Sequence, residues 1–564
     1  MDYRREYGRW LENLGAAEDG AAPEEAAELR AELEAMDDAA VEDAFYRELT
    51  FGTGGLRGTI GAGTNRMNVY VVGKATQGLA NYLKKHFKDP SVVIGYDSRL
   101  KSEVFALEAA GVFAANGIKV HAWRVLLPVP TVSYAVRRLG ASGGVMITAS
   151  HNPSKYNGYK VFGPDGCQIT TEAAEEVLGE ISATDIFTGV TRMHWEDALT
   201  REKMDFIPEE ILTEFIGEVR ARSVLFGDRI DRDVAIVYTP LNGTGLKPVT
   251  RVLGESGFTK ISIVEEQREP DGHFPTCPYP NPEIREAMAL GIEYCERTGA
   301  DLLLATDPDC DRCGIAVKDG EGYRLLSGNE VGLLLLDYIC SQRVSHGEMP
   351  AHPVFVKTIV TSDLAGKIAE HYGVETVNVL TGFKYIGEVI GRLEAEGRED
   401  DFLLGFEESY GYLSGTYVRD KDAVNAAFLI CEMFAFYRTR GVSLVEKLDE
   451  LYRSYGYCLN TLHSFQFEGS AGMAVMDGIM KDLRAGLDTV GGAEVLRTED
   501  YLPGLGSLPP ADVLKYYTAD GSVVVRPSGT EPKLKLYVSV TAKDRAAAEK
   551  KEKKIAEELA ARMK

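Results

Sequence analysis

Val92-Val93-Ile94-Gly95-Tyr96-Asp97 leads, through a polar turn and an amphipathic run, to Gly117-Ile118-Lys119-Val120. An apolar strand, a helix and a glycine that opens a second strand are the parts of a strand-helix-strand unit. The same order recurs from Val234-Ala235-Ile236-Val237-Tyr238 to Gly257-Phe258, and again from Val354-Phe355-Val356 to Gly373-Val374. Units of this kind build mixed or parallel sheets covered by helices, so three α/β domains in series are predicted. Beyond Val442 the pattern is lost. Residues 522–525, a turn over 526–532, an alternating strand over 533–540 and a charged helix from Asp544 read as an α+β terminal domain.

Upstream, residues 1–46 are rich in Ala, Glu and Leu and are broken at 20–23, which predicts two surface helices packed on whatever follows, without chemistry of their own. No low-complexity linker separates the units. Boundaries are expected near 220, 325 and 447, giving domains 1–220, 221–325, 326–447 and 448–564.

Composition fits a soluble globular chain: 564 residues, 45% hydrophobic and 26% charged, which excludes disorder and collagen-like structure. With 62 Lys plus Arg against 86 Asp plus Glu, the net charge of -24 repels nucleic acid and anionic lipid. A phosphate ligand is still compatible, provided local Arg and Lys gather in one cleft. The apolar stretch 331–340 is interrupted by Asp337 and is far shorter than the roughly 20 residues of a membrane span. Eight dispersed cysteines and no secretory segment at residues 1–10 predict free thiols, a reducing compartment and a cytoplasmic protein without an obligate protein partner.

Four motifs carry candidate chemistry. In Gly143-Gly144-Val145-Met146-Ile147-Thr148-Ala149-Ser150-His151-Asn152-Pro153 an apolar strand delivers Ser150 to a loop where Pro153 bars a continuing helix. The segment is not Gly-x-Ser-x-Gly, so a hydrolase elbow fits poorly. Asp307-Pro308-Asp309-Cys310-Asp311-Arg312 places three carboxylates at a spacing of two, a set of hard oxygen ligands for a hard divalent cation such as Mg2+. Cys310 and Cys313 overlap it as Cys-x-x-Cys, but no second pair lies nearby and flanking aspartates raise a thiol's pKa, so they read as bystanders. Gly405-Phe406-Glu407-Glu408-Ser409-Tyr410-Gly411 offers acceptors and a donor suited to a polyhydroxylated ligand. Arg526-Pro527-Ser528-Gly529-Thr530-Glu531-Pro532-Lys533 combines Arg, hydroxyls and Gly in the manner of a phosphate cradle, and a plain turn is the bland alternative.

Together these motifs resemble the alpha-D-phosphohexomutase family, from about Phe51 to the C-terminus and in the family's domain order. Phe51-Gly52-Thr53-Gly54-Gly55-Leu56-Arg57-Gly58 resembles the N-terminal arginine segment of the branch that groups bacterial phosphoglucomutases with phosphopentomutases. The resemblance implies an α/β protein: three serial mixed-sheet domains plus the α+β domain around a central cleft. It implies that Ser150 carries a phosphoryl group beside Mg2+ held by Ser150, Asp307, Asp309 and Asp311, with Arg312 adding positive charge. Arg57 and His151 would support Ser150, and His151 could equally be structural. Lys160 matches the family's general base and Lys421 is a second candidate; each would need its pKa lowered by neighbouring positive charge. Glu407 and Ser409 would bind the sugar, with Lys384 either facing the ligand or lying on the surface. Arg526, Ser528, Gly529 and Thr530 would hold the distal phosphate as the fourth domain closes.

The implied activity is interconversion of glucose 1-phosphate and glucose 6-phosphate through glucose 1,6-bisphosphate, an isomerase reaction on a small sugar phosphate. Paired Glu407-Glu408 lean toward glucose, whereas Phe406 and Tyr410-Gly411-Tyr412 leave phosphopentomutase and phosphomannomutase open. A magnesium-dependent phosphatase and a sugar-phosphate binder are the readings from other classes. A binder has no need of a nucleophile together with a metal triad.

Overall fold

The computed structural model describes residues 2–16, 23–52, 54–467, 469–506, 508–527 and 533–563. Four sheets succeed one another along the chain. The first has the order Gly55–Thr59, Tyr156–Phe162, Gly143–Ile147, Ser91–Tyr96, Lys119–Ala122, Met204–Phe206. Its first three strands pair antiparallel and the rest parallel, so it is mixed. The second sheet runs Gly322–Leu326, Cys313–Asp319, Leu302–Thr306, Ile236–Thr239, Ile261–Ile263, and the third Glu375–Val379, Val354–Thr358, Phe402–Phe406, Tyr412–Leu413. Both are mixed as well. The fourth is antiparallel, with Tyr457–Gln466, Lys533–Ala542 and Gly521–Pro527 as successive neighbours, backed by the helix Arg545–Arg562.

The three repeats read from the sequence are the parallel pairs Ser91–Tyr96 with Lys119–Ala122, Ile236–Thr239 with Ile261–Ile263, and Val354–Thr358 with Glu375–Val379. In each, the helix ends where Gly117, Gly257 or Gly373 adopts a positive φ of 80°, 89° or 70°. Only glycine takes that turn without steric cost, which is why it punctuates every unit.

The N-terminus departs from expectation. Three helices form among the described residues, Tyr3–Ala16, Pro23–Ala35 and Asp38–Phe45, because the Asp37 carboxylate accepts from Ala40 N and starts a separate helix. They are not merely superficial. Trp10 is fully buried against Phe45, Tyr70 and Phe187, and Glu32 accepts from Ala62 N beside the strand that carries Arg57.

One apolar core runs from Trp123 and Val132 through Leu304 and Leu334 to Phe428 and Tyr452, spanning the first three sheets. The fourth sheet has its own, built on Tyr516, Val525, Leu536 and Leu559.

Candidate active site

In each of the first three sheets a fully buried strand passes through a loop into an antiparallel neighbour. The pairs are Gly143–Ile147 with Tyr156–Phe162, Leu302–Thr306 with Cys313–Asp319, and Phe402–Phe406 with Tyr412–Leu413. Each loop contains one non-glycine residue in the left-handed region: Ser150 at φ 52°, Cys310 at 52° and Tyr410 at 67°. Such conformations cost of order 1–3 kcal/mol each and persist only where the surroundings enforce them. Neighbouring elements enforce two of them: Cys313 N donates to Tyr410 O (3.1 Å), and the aspartate loop is held by the starts of two helices, Val129 N donating to Asp309 O (3.0 Å) and Ala423 N to Cys310 O (3.3 Å).

Ser150 is buried, and its Oγ donates to Asp307 Oδ2 at 2.7 Å and lies 3.1 Å from His151 Nδ1. Ser150 N donates to Thr148 Oγ1 (2.8 Å), and that hydroxyl reaches Asp97 Oδ2 (2.6 Å) and Asp309 Oδ2 (3.1 Å). Close approach at this point depends on Gly158, where a Cβ would lie 2.5 Å from Thr148 O and 2.8 Å from Leu56 O. Burial, with the Arg312 and Arg57 cations behind it, holds His151 well below the usual imidazole range and hence neutral at pH 7. Arg57 is exposed on Gly55–Thr59, in register with Gly158.

Asp307, Asp309 and Asp311 are buried, and their oxygens lie within 4.8 Å of one another. Burial and the charges of Asp309 and Asp311 push Asp307 well above the ordinary carboxylate range. Burial opposes the Asp311 charge too, but Lys160, Lys421 and Arg312 outweigh it and hold that carboxyl low. Asp309 Oδ1 and Asp311 Oδ1 are buried without a hydrogen-bond partner among the described residues. Orphaned acceptors of this kind are costly, and a crowded set of hard oxygens with open lone pairs fits a hard divalent cation.

Lys160 Nζ sits 2.8 Å from Asp309 Oδ2 and 3.1 Å from Asp311 Oδ2, and Lys421 Nζ 2.8 Å from Asp311 Oδ2. The lowering that a lysine base would need is not what their surroundings produce. Burial works to lower both, yet the aspartates outweigh it and raise them. The two thiols of the Cys-x-x-Cys are free, buried and pushed up in pKa by that burial, as bystanders should be.

Glu407 accepts from Gly382 N (2.9 Å), and burial together with the Glu408 charge pushes it up to about 7 against the pull of Lys421 and Arg312. Ser409 is half-buried in the same loop. Lys384 is not a surface residue. It is buried at the start of the helix Phe383–Ala395, its Nζ 3.5 Å from Thr171 Oγ1 and, among the described residues, not hydrogen-bonded to the aspartates or Ser150. Arg526, half-buried on Gly521–Pro527, acts electrostatically on Glu408 and Tyr385 from the fourth sheet. Ser528, Gly529 and Thr530 lie outside the described residues.

Four further groups converge that the motifs did not single out. Asp97 and Arg99 support the serine loop from the strand Ser91–Tyr96, Glu283 of the second domain lies 3.8 Å from Arg312, and Lys535 is opposed by burial and Arg526 while Glu408 and Glu283 favour its charge. Lys535 had a signal, because alternation along Lys533-Leu534-Lys535-Leu536 puts it on the face of Lys533. Asp97 and Arg99 had only their place at the end of a parallel strand, where ligand sites gather in open α/β sheets.

Comparison with known proteins gives one consistent answer. Four descriptions match in order: phosphoglucomutase/phosphomannomutase alpha/beta/alpha domain I over residues 48–186, domain II over 213–320, domain III over 327–455, and the C-terminal domain over 468–559. A phosphoglucomutase of Staphylococcus haemolyticus is 36% identical over 512 residues, 88% of this chain and 91% of that protein. One of Staphylococcus aureus is 34% identical over 530 residues, 90% of this chain and 92% of that protein. Among solved structures, a phosphoglucomutase/phosphomannomutase family protein from Burkholderia thailandensis superimposes with a TM-score of 0.67 at 18% identity, covering 91% of this chain and 97% of that one. The open form of the Paramecium phosphoprotein pp63/parafusin gives 0.68 at 16%, covering 92% and 95%. At such identities the structures speak to the fold alone.

Proposed function

The chain belongs to the phosphoglucomutase/phosphomannomutase family, an intramolecular phosphotransferase of the isomerase class, and on that premise we propose that it interconverts glucose 1-phosphate and glucose 6-phosphate. The observation that carries this reading is the 2.7 Å hydrogen bond between Ser150 Oγ and Asp307 Oδ2, residues 157 positions apart. It sets the hydroxyl proposed as nucleophile beside a carboxylate cluster that could hold a cation, across two domains.

In the proposed cycle Ser150 carries a phosphoryl group. Its Oγ–P bond breaks as a bond forms between that phosphorus and a free hydroxyl of glucose monophosphate. The resulting glucose 1,6-bisphosphate turns over in the cleft and returns its other phosphoryl group to Ser150. Asp307, Asp309 and Asp311 would hold Mg2+, which neutralises charge developing on the transferred group. His151, neutral, would place a hydrogen-bonding ring and no positive charge beside Oγ. Lys160 and Lys421, held charged by the aspartates, would supply positive potential, and one of them would give its proton to Ser150 Oγ as the Oγ–P bond breaks and then, as the neutral amine so formed, take up the proton of the attacking hydroxyl, ending the transfer charged as it began. Glu407 and Ser409 would bind sugar hydroxyls. Arg526, with Ser528, Gly529 and Thr530, would grip the distal phosphate while the fourth domain keeps water out. Lys384 is proposed only as a more distant support of the sugar side. Cytoplasmic residence belongs to the same reading, supported by bacterial relatives and eight free, buried thiols.

The test is conversion of glucose 1-phosphate with Mg2+ and catalytic glucose 1,6-bisphosphate, beside mannose 1-phosphate and ribose 1-phosphate. Glucose should win in kcat/KM and free phosphate should stay at background. A tenfold preference for ribose 1-phosphate, about 1.4 kcal/mol at the transition state, overturns the substrate assignment. Stoichiometric phosphate release makes the chain a phosphatase.

A further inference from the structure

Arg99 lies three residues beyond the strand Ser91–Tyr96, and its side chain is completely buried. Its guanidinium donates to main-chain carbonyls of one loop: Nε to Ser150 O at 3.1 Å, Nη1 to Pro153 O at 2.9 Å and to Tyr156 O at 3.0 Å, and Nη2 to Ser150 O and Asn152 O. Five N–H groups in a rigid fork are spent on a stretch of seven residues, a pattern that Lys, with three donors on a flexible stem, cannot reproduce.

The charge is balanced within the same cluster. Asp97 Oδ2 stands 3.5 Å from Arg99 Nε, while Asp97 also accepts from Arg99 N, Ser102 Oγ and Thr148 Oγ1. On the far side the ring of Phe274, from the second domain, covers the guanidinium at 5.1 Å. That loop is pressed close: a Cβ on Gly272 would fall 2.4 Å from Leu100 N and 2.8 Å from Arg99 C. Phe274 itself is buried in a left-handed conformation, φ 49°. The arginine is thus clamped between the domain that carries Ser150 and the domain that carries the aspartates.

We infer that Arg99 is a positioning residue for phosphoryl transfer: it pins the carbonyl of Ser150, holds that residue in its left-handed turn and so aims Oγ at Asp307. A buried arginine that only filled space would have no reason to collect the carbonyl of Ser150 together with those of Asn152, Pro153 and Tyr156 in the loop that follows it. Without the fork, the turn at Ser150 loses what offsets its backbone strain and relaxes, and displacement of a nucleophile by about 1 Å costs on the order of 10²-fold in rate. The inference rests on the proposed role of Ser150.

The experiment measures kcat and KM for glucose 1-phosphate, and the rate at which glucose 1,6-bisphosphate phosphorylates Ser150 by intact mass, in wild type, Arg99→Lys, Arg99→Ala and Phe274→Leu. Arg99→Lys should lower kcat and the phosphorylation rate together by about 10²-fold while KM changes by less than about threefold, because substrate contacts are untouched. Added guanidinium at millimolar concentration should restore part of the Arg99→Ala rate and none of the wild-type rate. Phe274→Leu, which keeps every hydrogen bond, should lose several-fold in kcat and decides the matter if the arginine variants do not fold. Wild-type protein that never acquires phosphate on Ser150 defeats the reading of the reaction. Wild type that is phosphorylated, with Arg99→Lys or, failing that, Phe274→Leu equally fast, overturns the role of Arg99 alone.

Discussion

The seam among the first three domains and the seam that attaches the fourth are built differently. The former is a continuous apolar core reinforced by polar contacts from distant parts of the chain. Arg137 and Arg419 both reach Glu394, Arg419 N donates to Ser133 Oγ, Gln168 to Asp420, the aspartate and glutamate loops share the main-chain bond Cys313 N to Tyr410 O, and the serine loop reaches the aspartates through the hydroxyls of Ser150 and Thr148. The latter is a small cluster in which Ile359, Val360 and Leu380 meet Val513, Val524 and Tyr537. Its polar half is Asp363, which receives Ser522 Oγ (2.6 Å) and both Lys357 and Lys515 at 3.3 Å. The proposed chemistry is therefore assembled on a welded body, and the proposed grip on the distal phosphate, Arg526, rides on a domain joined by a smaller apolar cluster and by Tyr457 and Cys458 at the edge of the shared core. The proposed reaction, in which one reacting centre stays fixed while a sugar bisphosphate turns over, would use both kinds of seam.

The sharpest way to break this contrast is to remove the nucleophile. Ser150→Ala should abolish turnover, by about 10⁴-fold or more, while circular dichroism and melting stay close to wild type. Retained turnover would mean that the welded body is not where the phosphoryl group is carried. Next, Asp309→Asn should lower activity about 10²-fold and weaken divalent-ion affinity by direct titration, whereas Arg526→Ala should leave that affinity unchanged and act on kcat/KM for the sugar phosphate. If Arg526→Ala weakened the ion as much, the two regions would not be separable.

A smaller effect is expected at the loose seam. Lys515→Met removes a donor to Asp363 and to Ile359 O, and should change KM and kcat by a few-fold each. Small-angle scattering should register a larger radius of gyration for the free protein, with Ser150 phosphorylation by the bisphosphate unaltered. An unchanged scattering profile would show that apolar contacts alone set the position of the fourth domain.

What the sequence disclosed follows the same division. Strand-helix-strand repeats and the loops at Ser150, Asp307 and Glu407 are local patterns, each written within a dozen residues, and they lie where the loops of three sheets meet. Arg99 and Glu283 are ordinary loop residues until folding sets carbonyls or a guanidinium beside them. The charge state of the lysines was illegible in the sequence for the same reason. Lys160 and Lys421 are far in sequence from the aspartates that raise them, and only the fold shows that anions, not cations, are their nearest charges. The third N-terminal helix turned on one capping carboxylate, Asp37, inside a run whose composition is helical throughout.

The weakest effect is also the most diagnostic of how dry the sugar side of the welded body is. Burial, and then the Glu408 charge, push Glu407 up to about 7 in the folded protein, well above an unfolded glutamate near 4.5. The native state therefore binds this proton more tightly than the unfolded one. Glu407 penalises folding fully above pH 7, and the penalty fades as pH falls from 7 toward 4.5, at a rate of up to about 1.4 kcal/mol per pH unit. Glu407→Gln keeps an acceptor for Gly382 N but carries no charge. Its melting temperature should exceed that of wild type at pH 8, and the gap should narrow steadily on acidification to pH 5.5. Glu408 shares the burial, so the same substitution should also let its neighbour ionise more readily. A gap that stayed constant with pH would mean that Glu407 is already solvated in the free protein, and that this face of the cleft is open before any sugar arrives.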